Sequence, residues 1–209
     1  MKRKELSFSG NEGLIYEASE PRRERIVYLH GAGEFGGGLK ALFRHPGLPS
    51  LLEEGLELDF DVLIPCGPSS GHWEPLWIDQ FLRESDKGLR SKANNFHFMA
   101  FSRGCSGAYS YAAQYPSKVA SIIALAGKRA PEDLIPQIMA PLLLIHGKYD
   151  AQIPFSESMF MYEAFRALGK SVEFIQEDAD HFIPGEVFSR EQIYSWQKMV
   201  CREFEGHEC

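Results

Sequence analysis

Short apolar runs alternate with helix-patterned stretches along most of the chain. Residues 5–8 and 13–17 predict a small antiparallel hairpin turned at Ser9-Gly10-Asn11-Glu12. Further strands are predicted at Arg25–Leu29, Phe60–Ile64, Asn95–Phe101, Val119–Leu125, Pro141–Ile145 and Ser171–Ile175. Several are apolar at consecutive positions, as a strand covered on both faces requires. Helical spacing runs over Leu39–Glu54, broken at Pro46-Gly47, over Ile78–Lys87 with Leu82 on its apolar face, and over Cys105–Tyr115, which stops before Pro116. Ser156–Leu168 has an N-cap-type serine, an early Glu157, a Met161/Phe165/Leu168 stripe and Gly169 at the stop position. A last helix, Ser189–Phe204, aligns Ile193, Trp196, Val200 and Phe204.

Strand and helix in repeated alternation read as a three-layer α/β/α sandwich: a mostly parallel sheet, helices on both faces, and the hairpin as an antiparallel N-terminal edge. No internal repeat or low-complexity run interrupts it, so residues 1–209 read as one α/β domain.

Composition narrows the setting. At 44% hydrophobic and 24% charged, the 209 residues can bury a full core without staples. The charge balance, 22 − 29 = −7, argues against a nucleic-acid or anionic-membrane surface. The basic start Met1-Lys2-Arg3-Lys4 has no apolar stretch behind it, so a signal peptide is not expected; no run approaches the roughly 18 apolar residues of a membrane span. The four cysteines, Cys66, Cys105, Cys201 and Cys209, form no CxxC pair and point to neither a disulfide scaffold nor a zinc site. A cytoplasmic protein, monomer or homodimer, is expected, with no metal, no cofactor, no nucleic acid and no stable membrane insertion.

In an open α/β sheet, ligands gather where the strands end at their carboxyl side. The residues there are His30-Gly31-Ala32-Gly33-Glu34, Pro65-Cys66-Gly67, Ser102-Arg103-Gly104, His146-Gly147-Lys148-Tyr149-Asp150 and Asp178–Ile183. A serine, an aspartate and a histidine thus follow strands in that chain order. Met99–Gly104 passes directly from strand to helix, the kind of tight turn that lifts a nucleophile off a sheet; Ser106 nearly matches the same pattern but falls inside the helix. A serine hydroxyl is a weak nucleophile until an imidazole accepts its proton. The imidazole in turn needs an acid on its other nitrogen. A developing oxyanion needs preset N–H donors, each worth about 10²–10³ in rate. Ser102, His181 and Asp150 fit the first three roles, and the backbone N–H groups of Ala32 and Arg103 fit the last.

These segments, Tyr28–Glu34, Phe101–Gly104, Tyr111–Pro116, Ile145–Asp150 with Ile153-Pro154, and Asp180-His181, make the chain resemble the α/β-hydrolase superfamily over about residues 25–200. Within it the chain is similar to the phospholipase/carboxylesterase group and to predicted peptidases of prolyl-oligopeptidase type. The resemblance implies Ser102 as nucleophile, Asp150 as acid and His181 as base, hydrolysing an ester, thioester or amide. Ala100 departs from the pattern by replacing the first elbow glycine, and Cys105 stands where a second glycine is common. Arg103 occupies a position usually uncharged; it favours an anionic acyl or leaving group if it reaches the pocket, and otherwise faces solvent or pairs with a glutamate.

Expected substrate contacts are Glu34, Phe35, Trp73, Trp77, Ile153 and Phe182, aromatic walls that suit an apolar acyl group unless the tryptophans only pack beneath their loop. No long insertion separates the main strands, so a small site without a large lid is expected. That favours a small-molecule ester or thioester over a peptide. Three other readings are a peptidase-like hydrolase, a non-hydrolytic binder on the same fold, and a dinucleotide-binding protein. The last rests on Gly31-Ala32-Gly33-Glu34-Phe35-Gly36, which fits G-x-G-x-x-G, but the next strand ends Ile64-Pro65-Cys66 without the acid a ribose requires.

Overall fold

The computed structural model describes residues 1–20, 23–89, 92–93 and 95–205, the last five by their backbone alone. Its strands are β1 (Lys2–Phe8), β2 (Asn11–Glu17), β3 (Glu24–Leu29), β4 (Asp61–Pro65), β5 (Asn95–Phe101), β6 (Val119–Leu125), β7 (Leu142–Gly147) and β8 (Val172–Glu177). They form one eight-stranded sheet in the order β1-β2-β4-β3-β5-β6-β7-β8. β1 and β2 run antiparallel to their neighbours, and all pairs from β4 to β8 are parallel.

The apolar pattern explains this order. Every residue of β4, β6 and β7 is buried, whereas the edge strands carry charge: Lys2, Arg3, Lys4 and Glu5 on β1, Glu173 and Glu177 on β8. Charged edges resist pairing with another chain. Alternate residues of β5 feed two separate cores. Phe96, Phe98 and Ala100 join α3 (Pro75–Lys87), α4 (Arg103–Gln114) and α5 (Ser156–Ala167); Met99 and Phe101 join α2 (Leu48–Glu53), α6 (Pro184–Phe188) and α7 (Glu191–Glu205). The three layers are therefore two helical cores sharing one sheet.

Local details differ from the periodicity. The predicted 39–54 helix is two pieces, α1 (Gly38–Ala41) and α2, because Pro49 and extended Gly47 restart the chain. Ser156 is the first residue of α5 rather than its cap; Phe155 precedes the helix without a capping hydrogen bond. Met161 and Phe165 are buried, but Leu168 is 48% exposed, since it lies past the last helical turn. Gly169 ends the helix at φ +67° as its position demands. The last predicted helix begins two residues later, at Glu191, after the separate α6; Ile193, Trp196 and Val200 are buried, and the Phe204 side chain lies outside the described residues. Cys66 and Cys105 are free and buried, while the side chains of Cys201 and Cys209 lie outside the described set. Among the described residues, no helix is long and apolar enough to cross a membrane.

Candidate active site

Ser102 occupies the junction between β5 and α4 at φ 53°, ψ −116°. A non-glycine residue there stores about 1–3 kcal/mol and must be held by its surroundings. The Ser102 N–H donates to Leu125 O at 2.9 Å, and the Cys105 N–H donates to Ser102 O at 3.1 Å. Gly104 is obligatory: a β-carbon would sit 2.0 Å from the Leu29 carbonyl oxygen. Gly31 is less tightly held, a β-carbon there standing 3.2–3.3 Å from the side chains of Phe101 and Ser102. Cys105 is accommodated because Gly127 leaves room, a β-carbon there falling 2.4 Å from its Cβ and Sγ. Its thiol faces Ala100 O and Leu125 O at 3.4 and 3.5 Å, and burial pushes it far above the ordinary thiol range, so it rests protonated. Burial likewise pushes the Cys66 thiol up to about 12.

The ends of β7 and β8 bring the other two groups in. Gly147 permits their approach, since a β-carbon would stand 2.4 Å from the carbonyls of Ala179 and Asp180. The Lys148 and Tyr149 N–H groups then donate to Glu177 O and Ala179 O at 2.8 and 3.0 Å. In this clasp His181 Nε2 lies 3.1 Å from Ser102 Oγ, and His181 Nδ1 lies 2.6 Å from Asp150 Oδ2. With the proton on Nδ1 donated to Asp150, Nε2 accepts from the serine hydroxyl. All three are buried, and Phe101 packs on the His181 ring at 5.0 Å.

Asp150 is secured from every side. Its Oδ1 accepts the N–H groups of Gln152 and Ile153, each at 2.8 Å. Burial alone would raise its pKa, but the bonds from Ile153, His181 and Gln152 outweigh that and hold the carboxyl below the usual range. A second imidazole also reaches Oδ2: His146 Nε2, at 3.2 Å, which lies 3.0 Å from Ile153 O as well. Ser158 Oγ on α5 meets His146 Nδ1 at 2.7 Å, and burial keeps this ring neutral by lowering its pKa. The serine therefore donates to Nδ1, and Nε2–H is donated to Ile153 O with Asp150 Oδ2 beside it. Sequence reasoning missed both residues. His146 stands four positions before Asp150, a signal that was present; Ser158 has none, because it arrives from a distant helix.

The loop after β3 forms the other wall. Ala32 opens a 3₁₀ turn, Ala32–Glu34, and Arg103 opens α4; the first N–H groups of such turns have no partner within them. Both residues line a cleft of about 310 Å³ beside Ser102, together with Ser106, Lys128, Gln152 and Ile153. Ile153 is placed on that cleft, and Phe182, 55% exposed, packs edge-on against His181. Ser106 stands inside α4 and meets the cleft from there rather than from the elbow.

The remaining expected contacts are turned inward. Trp73 is buried and donates its Nε1–H to His30 O at 3.1 Å; Trp77 stacks on Phe81, and Phe35 packs edge-on against His30. Glu34 is also buried, its Oε2 3.7 Å from His30 Nδ1. Trp73 and Glu34 are buried, Phe35 and Trp77 are half-buried, and none of the four lines the cleft. Of the expected aromatic wall, Phe182 stands at His181, while Ala32, Arg103, Ser106, Lys128, Gln152 and Ile153 line the cleft around Ser102. Lys128 follows β6, where the rule of strand carboxyl ends also applies. The glycine-rich loop leads into a 3₁₀ turn and the four-residue α1, not the long helix whose start would cradle a pyrophosphate. Among the described residues, no group of three or more His, Cys, Asp and Glu side chains is arranged to hold a metal ion.

Comparison with known proteins agrees with this layout. The family model for phospholipase/carboxylesterase matches residues 77–193, a span that contains Ser102, Asp150 and His181. A thermostable esterase superposes with TM-score 0.74 at 14% identity, over 95% of this chain and 62% of its own, so this chain spans under two thirds of that protein. An esterase from Thermogutta terrifontis superposes with TM-score 0.64 at 16% identity, over 96% of this chain and 99% of its own. The acylaminoacyl peptidase of Pyrococcus horikoshii does so with TM-score 0.67 at 13% identity, over 87% and 38%. At such identities these likenesses establish the α/β-hydrolase fold. No curated protein sequence matches.

Proposed function

From the premise that this chain belongs to the phospholipase/carboxylesterase family of α/β-hydrolases, we propose that it is a serine hydrolase that cleaves carboxylic ester or thioester bonds through an acyl-enzyme. The observation that carries the reading is the contact series Ser102 Oγ–His181 Nε2 at 3.1 Å and His181 Nδ1–Asp150 Oδ2 at 2.6 Å.

Ser102 Oγ attacks the carbonyl carbon while its proton passes to His181 Nε2. The imidazolium so formed is stabilised by Asp150, which stays ionised. The carbonyl oxygen takes the negative charge and meets the backbone N–H groups of Ala32 and Arg103. Collapse breaks the bond to the leaving alcohol or thiol, which takes the proton from Nε2 and departs. Water then repeats the sequence on the acyl-serine, releasing the acid and restoring Ser102. His146 acts as a positioning residue, fixing through Nε2–H the Ile153 carbonyl of the loop whose N–H groups hold Asp150, with its ring beside Oδ2. The connection from β6 to β7, residues 126–141, holds a single 3₁₀ turn, Ile135–Gln137, and no cap of longer helices, which favours a small ester over a peptide.

A fluorophosphonate probe with peptide mapping tests the assignment. Labelling is expected on Ser102 and is expected to vanish, with ester and thioester turnover, in Ser102→Ala. Labelling that persists in that variant, or a wild-type protein inert toward a broad ester and thioester panel, overturns it.

A further inference from the structure

The cleft beside Ser102 has the opposite charge from the chain as a whole. The protein carries a net charge of −7, yet this cleft presents Arg103 and Lys128, and no Asp or Glu is among the residues that line it. Both side chains are exposed, and neither makes an ion pair among the described residues. Arg129, next to Lys128 in the chain, is by contrast paired with Glu157 at 3.8 Å. Two cations left without carboxylates at one cleft, on a surface where acids outnumber bases, call for an anion from outside the chain.

Arg103 is also held in place. Its NH1 donates to Gly71 O at 3.0 Å, anchoring the guanidinium on the loop after β4. A guanidinium has five N–H donors, so one such bond leaves a fork for a carboxylate or phosphate. The side chain of Gln152 and the hydroxyl of Ser106 add neutral polar groups to the same wall.

We infer that the substrate of the proposed hydrolase is an anionic ester or thioester, whose carboxylate or phosphate, carried on either the acyl or the alcohol part, is held by Arg103 and Lys128. The inference rests on the proposed function, since the anion is recognised while its ester carbonyl faces Ser102. A charge-assisted hydrogen bond is worth about 10–100-fold in affinity. Solvent exposure of both cations places the effect near the lower end, about ten-fold.

The test reads a ratio of ratios. For the acyl part, kcat/KM of mono(4-nitrophenyl) adipate is divided by that of 4-nitrophenyl hexanoate. For the alcohol part, 4-carboxyphenyl butyrate is divided by phenyl butyrate. Each quotient is measured in wild type, Arg103→Gln, Lys128→Gln and the double variant. The comparison across variants cancels the intrinsic reactivity of the esters and any change at the backbone of residue 103. In one arm the quotient is expected to fall about ten-fold in the double variant, by less in each single one, and to shrink in wild type as salt rises. The arm that responds identifies which part bears the anion. Quotients that are the same in wild type and double variant in both arms, with Ser102 still labelled by fluorophosphonate, overturn this inference alone. Absence of labelling at Ser102 overturns the proposed function and this inference together.

Discussion

Two buried aspartates, Asp79 and Asp150, are 2% and 9% exposed, and both carboxyls are held below their usual range although burial pushes each upward. Their partners differ in kind. Asp79, on α3, meets Lys118 and Arg83 at 2.5 Å each and accepts the Tyr111 hydroxyl at 3.2 Å. Those cations are permanent, so its charge is already spent on tying α3 to α4 and the turn before β6. Asp150 meets backbone N–H groups and two imidazoles. Its charge remains available for the moment His181 takes up a proton. Residue type and burial are alike; the partners separate a brace from the aspartate proposed to serve catalysis.

The sharpest way to test that contrast is at the site itself. Ser102→Ala is expected to cut kcat at least about 10⁴-fold with the fold retained, read by turnover alongside thermal melting. Asp150→Asn should lower kcat by about 10⁴ through loss of the imidazole's orientation and of imidazolium stabilisation. Asp79→Asn should leave kcat within a few-fold; an inactive but stably folded Asp79→Asn protein would break the comparison.

Smaller effects refine it. His146→Phe is expected to lower kcat about ten-fold with KM unchanged, in the range of lost outer hydrogen bonds; a change in stability alone, with kcat untouched, would make His146 part of the brace. Asp79→Asn should cost about 1–3 kcal/mol in urea unfolding at neutral pH. Because the folded pKa of Asp79 is depressed, its contribution is present above the ordinary carboxylate range and is lost as pH falls through the folded value. The urea midpoints of wild type and Asp79→Asn should therefore converge in acid. His97 gives a weaker signal. Burial lowers its pKa from 6.5 to about 4, so stability should decline as pH falls between those values, and His97→Phe should flatten that slope.

The frame was legible wherever the physics is local. Consecutive apolar residues marked β4, β6 and β7, and a serine directly between β5 and α4 marked the elbow. Loop residues were harder, because position in the chain does not say which way a side chain turns. Trp73 lies in the loop that follows β4, yet its indole N–H finds His30 O and its ring is drawn inward. Glu34, beside the cleft residue Ala32 in the same turn, is drawn inward too. The pairing of His146 with Ser158 depends on how α5 docks on β7, a contact between elements that no periodicity encodes. Arg103 was legible as an oddity, but its lack of a carboxylate partner became visible only when the surrounding loops were in place.

Gly104 has a consequence for how such a protein could be reshaped. The first turn of α4 is pressed so closely on Leu29 O that no side chain fits between them. The helix that follows the strained serine is thereby seated on the end of β3, just where the loop bearing Ala32 departs, and a side chain at 104 would have to push the two apart. On the proposed function, larger or differently charged substrates would be accommodated outward. A redesign campaign has its freedom at 128, 152 and 153, where the rim meets solvent, and none at 104.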